Sequence, residues 1–171
     1  MHYRSTGRSR WVLFPGLILV LLGALLLPAC NDTSTNIPDV ARGVIDVTVE
    51  PNPVIGLQNI LTGSVSASYI VKLRELNGLG GEIQFINSTV FDPETGLQVA
   101  TDYYDSASLV VFVGTSRIEP LGEMDVTKSA SYVLPDLRVD ADLVVAVQFL
   151  DDRGNLFNRS ILVRVVTPPA E

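Results

Sequence analysis

The chain has 171 residues, 47% of them hydrophobic, with a mean hydropathy of +0.32 and a formal charge of −7; this allows one domain and is apolar for a water-soluble one. Its only His, Trp and Cys are His2, Trp11 and Cys30. If everything before Cys30 is removed and Cys30 itself is consumed, the rest excludes histidine-based catalysis, cysteine nucleophiles, internal disulfides and His/Cys metal sites.

The N-terminus opens with Arg4, Arg8 and Arg10 and no acidic residue, followed by a charge-free run from Trp11 to Ala29. A basic start, an apolar core and a small residue before the cut make an export signal, with the arginines held on the cytoplasmic side. The run is long enough to span a membrane once, so an uncleaved anchor and ordinary secretion are the alternatives. Leu27-Pro28-Ala29-Cys30 decides between them. It resembles the lipobox of bacterial lipoproteins, with an aliphatic residue at −3, a small one at −1 and Cys at +1; Pro28 stands where Ser, Ala, Thr or Val is commoner. The resemblance covers residues 1–30. It implies cleavage after Ala29 of a signal peptide over 1–29 and attachment of diacylglycerol to the Cys30 sulfur. A further acyl chain, such as palmitate, would go to the new amino group. Each buried CH₂ adds roughly 0.8 kcal/mol, and two chains make a firm anchor. Asn31, rather than Asp, follows the Cys, which implies the outer membrane or cell surface in preference to the inner membrane.

From Cys30 to Gly43 the chain is polar, carries Pro38 and has no periodicity, and is expected to be a flexible linker. A β pattern follows over 44–167, with residues 168–171 as a tail. Ile45, Val47 and Val49 alternate with Asp46, Thr48 and Glu50, and Pro51 and Pro53 end that strand. In the next, Val65, Ala67, Tyr69, Val71 and Leu73 share one face and Ser64, Ser66, Ser68, Lys72 and Arg74 the other. A glycine-rich turn over 77–81 leads to a strand from Glu82 to Phe91, and the turn Asp92–Gly96 to a short strand near 97–101. Asp102 to Asp105 reads as a loop, Leu109 to Val113 as a strand, and Gly114 to Gly122 as an irregular corner. A strand broken near Thr127–Ser129 spans Glu123 to Leu134. A hairpin turning at Asp151–Asn155 closes the domain.

The expectation is an all-β fold with no helix after the signal: a single antiparallel β-sandwich of seven to eight strands. It resembles the Ig-like and fibronectin-III-like sandwiches of bacterial surface proteins in three places: Val47, Val49, Pro51 and Pro53; the Tyr132–Pro135 corner; and the hairpin at Asp151, Asp152, Gly154 and Asn155. Its core is expected to include Tyr69, Phe85, Phe91, Phe112 and Phe149.

Chemistry is sparse. The carboxylate pairs Asp102/Asp105, Asp140/Asp142 and Asp151/Asp152 could work as acid and base, but Asp caps turn amides at such places. A Ser-Lys dyad on Lys72 or Lys128 has no motif behind it. Asp151–Asn155 lacks the D-x-[DN]-x-[DN]-G pattern and distal Glu of a calcium loop, and a hairpin turn explains Gly154 and Asn155, so no metal or cofactor is expected. Without the signal's arginines, nine basic residues face 19 acidic ones, a formal charge of −10 that repels nucleic acid. The cluster Asp102, Tyr103, Tyr104, Asp105 is the expected partner-binding loop, and the Arg117–Gly122 corner is the other candidate. The reading is therefore a non-enzymatic binding module, held to the membrane by its N-terminal lipid, for an envelope protein or glycan. The alternative is a structural or assembly part that pairs through a sheet edge near Leu156–Val166; a carboxylate-based enzyme comes last.

Overall fold

A computed structural model describes residues 42–168. Strict alternation gives β1 (Ile45–Glu50), buried at Ile45, Val47 and Val49 and exposed between them. Neither Pro51 nor Pro53 can donate to a ladder, so the strand stops and resumes as β2 (Val54–Gln58). Then come β3 (Ser64–Glu75), β4 (Gly81–Phe91) and β5 (Gln98–Asp105). The helix α1 (Ser106–Val113) and the two-residue β6 (Arg117–Ile118) lead into β7 (Glu123–Val133). A 3₁₀ turn at Pro135–Leu137 precedes the closing hairpin of β8 (Ala141–Asp151) and β9 (Leu156–Val166).

Hydrogen bonding orders the strands β1-β3-β2-β9-β8-β4-β5, with β7 on β3 and β6 on β4. β3 pairs with β7 along its length; its other edge is shared by β1, opposite Ile70 to Glu75, and β2, opposite Val65 to Ala67. β8 lies between β4 and β9, and β5 borders β4. β2 joins the two groups. It is antiparallel to β3 and, through Val54–Val165 and Ile55–Val166, parallel to β9. Gly56 sits at this crossing, where a Cβ would lie 2.8 Å from Val139, 2.9 Å from Val65 and 3.1 Å from Val165. The inward faces of both groups form one apolar core that includes Val65, Val71, Ile83, Ile86, Leu143 and Phe149. The domain is all-β, with α1 the one α-helix among the described residues.

Several expectations are corrected. The described residues form nine strands rather than seven to eight, because β2 and β6 are short pairings made by tertiary contact. The pairing is not wholly antiparallel, because β2 runs alongside β9. Leu109 to Val113 is helical: the Asp105 side chain caps the helix start, and Gly114, at φ 92°, ends it. Only Leu109 of that helix is buried, and Phe112 is 66% exposed and outside the core. β7 is unbroken through Thr127–Ser129 because Lys128 keeps the alternation and points inward.

Candidate functional site

The expected loop Asp102–Asp105 is strand. Asp102, Tyr103, Tyr104 and Asp105 pair with Ser88, Asn87, Ile86 and Phe85 of β4, so the pleat divides them. Tyr104 is half-buried against the core and Asp102 lies on the same inner side, whereas Tyr103 and Asp105 are exposed. Asp105 accepts the Ser108 N–H at 2.8 Å, which makes it a helix cap, and the Ser108 hydroxyl and then this amide hold its carboxyl below the usual range. The four residues therefore belong to two separate surfaces.

On the inner surface, Lys128 of β7 reaches across to β5. Its side chain is fully buried, and its Nζ lies 2.9 Å from Asp102 Oδ2, whose side chain is 36% exposed. The same ammonium stands 3.6 Å above the Tyr104 ring and donates to the Asp102 carbonyl at 3.4 Å. Burial pushes the Lys128 amine down, and Asp102 works against that shift. Tyr69 is opposite Lys128 in the β3–β7 register, as Ser88 is opposite Asp102 in the β4–β5 register. Tyr69 Oη and Ser88 Oγ are both buried without a hydrogen-bond partner. Burial pushes the Tyr69 phenol up to about 12; the neighbouring Ser88 hydroxyl pulls the other way without reaching hydrogen-bond geometry. Beside this group, where Ala100 and Ala130 are too small to fill the gap between β5 and β7, a slot of about 140 Å³ reaches Ser88 and Asp102.

The outer surface of the four strands β5, β4, β8 and β9 is laid out in rows. Thr101, Thr89, Val144 and Leu162 form one row, and Tyr103, Asn87, Ala146 and Ser160 the next. Phe85, Gln148 and Asn158 follow. Tyr103 is 56% exposed and Leu162 64%. The rings of Phe85 and Tyr103 lie 5.6 Å apart. Thr101 donates to Asn87 Oδ1 at 3.1 Å, and Gln148 to Asn158 Oδ1 at 3.0 Å. The one charged residue in these rows is Asp105, opposite Phe85, and its carboxylate caps α1. The outer surface of β1, β3 and β7 carries Asp46, Glu50, Lys72, Arg74, Glu123 and Asp125, with Lys72 paired to Glu50 and Arg74 to Glu123.

The other carboxylates weighed as acid and base are bound to partners. Asp151 is buried and accepts from the N–H groups of Gly43, Arg153 and Asn155 at 2.8–2.9 Å; burial would raise its carboxyl, but these donors hold it down at about 2. Asp152 takes both Arg117 guanidinium nitrogens at 2.7 and 2.8 Å, which puts part of the Arg117–Gly122 corner into an ion pair. Asp140 accepts from Thr167, and Asp142 faces Arg164 at 3.4 Å. At that end a groove of about 530 Å³ passes Gln58, Arg138 and Arg164, and Arg138 is held by Asp92 at 3.1 Å and Glu94 at 3.0 Å. Lys72 is half-buried on the outer side of β3, with Glu50 as its partner. Among the described residues no three His, Cys, Asp or Glu side chains gather as a metal site.

The lipidation residue Cys30 and the cleavage residues Leu27, Pro28 and Ala29 lie outside the described residues. The sequence reading missed the pairing of Lys128 with Asp102 and the hydroxyls of Tyr69 and Ser88. A signal for the first was present: Met124, Val126, Lys128, Ala130 and Tyr132 share one phase of the alternation, which puts the amine on the core side.

No protein-family model matches the chain, and no curated protein matches it. Solved structures similar to it include a structural-genomics target designated SoR45, with 16% identity and a TM-score of 0.54, covering 74% of this chain and 87% of that one. Another is a Bordetella pertussis protein provisionally named ApaA, with 10% identity and a TM-score of 0.55, covering 75% of this chain and 96% of that one. At these identities the likeness is one of fold alone.

Proposed function

We propose that the chain is a lipid-anchored envelope protein whose domain is a non-enzymatic, Ig-like binding module. The anchor rests on Leu27–Cys30 and the basic, charge-free run before it. The Ig-like reading is supported by two strand groups facing one core and by β2 switching partners from β3 to β9. The observation that carries the non-enzymatic reading is that each carboxylate pair weighed as acid and base has its members drawn apart or bound to partners. Asp102 holds Lys128 while Asp105 caps α1, Asp151 binds backbone amides while Asp152 binds Arg117, and Asp140 and Asp142 hold Thr167 and Arg164. Mass spectrometry of the mature protein should find an acylated Cys30 at the N-terminus. An intact Met1, or an unmodified Cys30, overturns the anchor. Hydrolytic turnover lost on Asp102→Asn would overturn the binding module.

A second reading, assembly by strand addition, is favoured by one feature. β9 is paired by β2 only at Val165 and Val166, so the outer edge of Leu156 to Arg164 has no ladder partner among the described residues. Successive strand residues point their N–H groups to opposite sides. Of Arg159→Pro and Ser160→Pro, one therefore removes an outward donor and leaves the β8 ladder intact. Loss of partner crosslinking in that folded variant alone would favour edge pairing.

A further inference from the structure

On the reading that the domain is a binding module, we infer that its ligand is a neutral glycan laid across the outer surface of β4, β5, β8 and β9, with Tyr103 as the stacking platform. Three observations lead there. The first is charge. The chain has 19 acidic and 12 basic residues, and its other sheet surface is crowded with them, yet the three rows around Asn87 and Ala146 hold one charge, Asp105 at a corner, whose carboxylate is taken up capping α1. A charged polymer finds no ladder of counter-charges there, only the capping Asp105, and the overall negative field repels polyanions. A neutral polymer meets no such barrier.

The second is the kind of group on offer. Asn87, Gln148 and Asn158 supply amides, and Thr101 and Ser160 hydroxyls, interleaved with an aromatic pair, Phe85 and Tyr103. Sugar rings present the same combination, hydroxyls around the edge and an apolar C–H face that stacks on an aromatic ring. Tyr103 keeps 56% of its surface open, with Phe85 packed against part of the rest.

The third is size. Four strands about 4.8 Å apart and three rows about 6.8 Å apart make roughly 400 Å². A stable protein partner, including a second copy of this chain, covers about 800 Å² on each side. This area is half of that, but it is long enough for three or four sugar units.

The test is co-sedimentation of the detergent-solubilised full chain with insoluble chitin, cellulose, curdlan and amylose resin, against alginate beads as an anionic control. At least one neutral polymer is expected to enrich the protein tenfold or more over alginate at 0.15 M salt. Tyr103→Ala and Ser160→Arg should each lower the bound fraction at least fivefold with an unchanged melting temperature, while Ser66→Arg, on the opposite sheet surface, should leave it unaltered. Three results would overturn the proposal: no enrichment on any neutral polymer, binding indifferent to Tyr103→Ala and Ser160→Arg, or a dimer in sedimentation velocity that Ser160→Arg dissolves. Cys30 acylation, read on the same sample, separates failure of this inference from failure of the anchored-module reading.

Discussion

Lys128 and Asp102 stand on the free edges of opposite strand groups, β7 and β5, yet their charged atoms are 2.9 Å apart and the amine is fully buried. An inward-pointing charge on an edge strand is a known defence against edge-to-edge pairing, since a strand docking there would have to cover the charge or leave it unpaired. β7 needs such a defence, because its eleven residues are paired on one side only among the described residues. Asp102→Ala should cost about 3 kcal/mol, at the low end for a broken buried pair because the carboxylate is one-third exposed. Lys128→Met should stay within about 1.5 kcal/mol of the native protein, since an apolar chain of similar volume replaces an ion that is costly to bury. That variant should also self-associate as concentration rises, visible by sedimentation velocity. A monomeric Lys128→Met protein would remove the edge-protection argument, and the double variant should regain most of what Asp102→Ala loses.

Tyr69 gives a prediction of opposite sign. Its hydroxyl is buried and has no hydrogen-bond partner, so Tyr69→Phe removes a desolvated polar atom and keeps the ring. The melting temperature should hold or rise. A fall equivalent to more than about 1 kcal/mol would mean that the phenol makes a bond worth that much.

Gly56 leaves room for β2 to pass between two partners. A methyl added there meets side-chain carbons of Val65, Val139 and Val165 within 3.1 Å. Because those are movable valine methyls rather than backbone, Gly56→Ala should cost about 1–3 kcal/mol, read by denaturant unfolding. Exchange of the β2 amides should rise more than that of the β4 amides if the crossing itself is loosened.

Asp151 predicts an acid limb. Its native carboxyl titrates at about 2, against about 3.9 when unfolded. A lowered native value means stability that is complete above the unfolded value and is lost as pH falls from about 4 towards 2, on the order of 2 kcal/mol in all. Asp151→Ala should flatten that part of the pH–stability curve and lower the plateau above it. An unchanged acid limb in the variant would show that other carboxylates carry it.

The sequence makes the strands legible wherever apolar and polar residues alternate, as in β1, β3 and β8, because such alternation has only one way to bury its apolar half. It is silent on β5, where Thr101 to Asp105 has no apolar period and strand form is imposed by the partners on β4. For α1 two signals conflicted: the β-branched Val110, Val111 and Val113 favour strand, while Asp105 three residues before Ser108 and Gly114 at the far end mark a helix. The caps prevailed, since they satisfy helix-end amides and carbonyls that the side chains do not reach. At Lys128 the charge suggests a break although its phase in the strand points inward, because the counter-charge that permits its burial is 26 residues away in sequence.

The strand crossing at β2 also fixes how the domain bears load. Tension entering at Gly43 runs along β1, whose register with β3 extends from Ile45–Glu75 to Glu50–Ile70, so these bonds are sheared together rather than unzipped one at a time. Asp151 clamps the Gly43 amide ahead of that ladder, and the parallel contact of β2 with β9 backs it from the far end. A body tied through its N-terminal side and pulled from its broad outer surface would therefore resist as a lap joint does, failing late and abruptly.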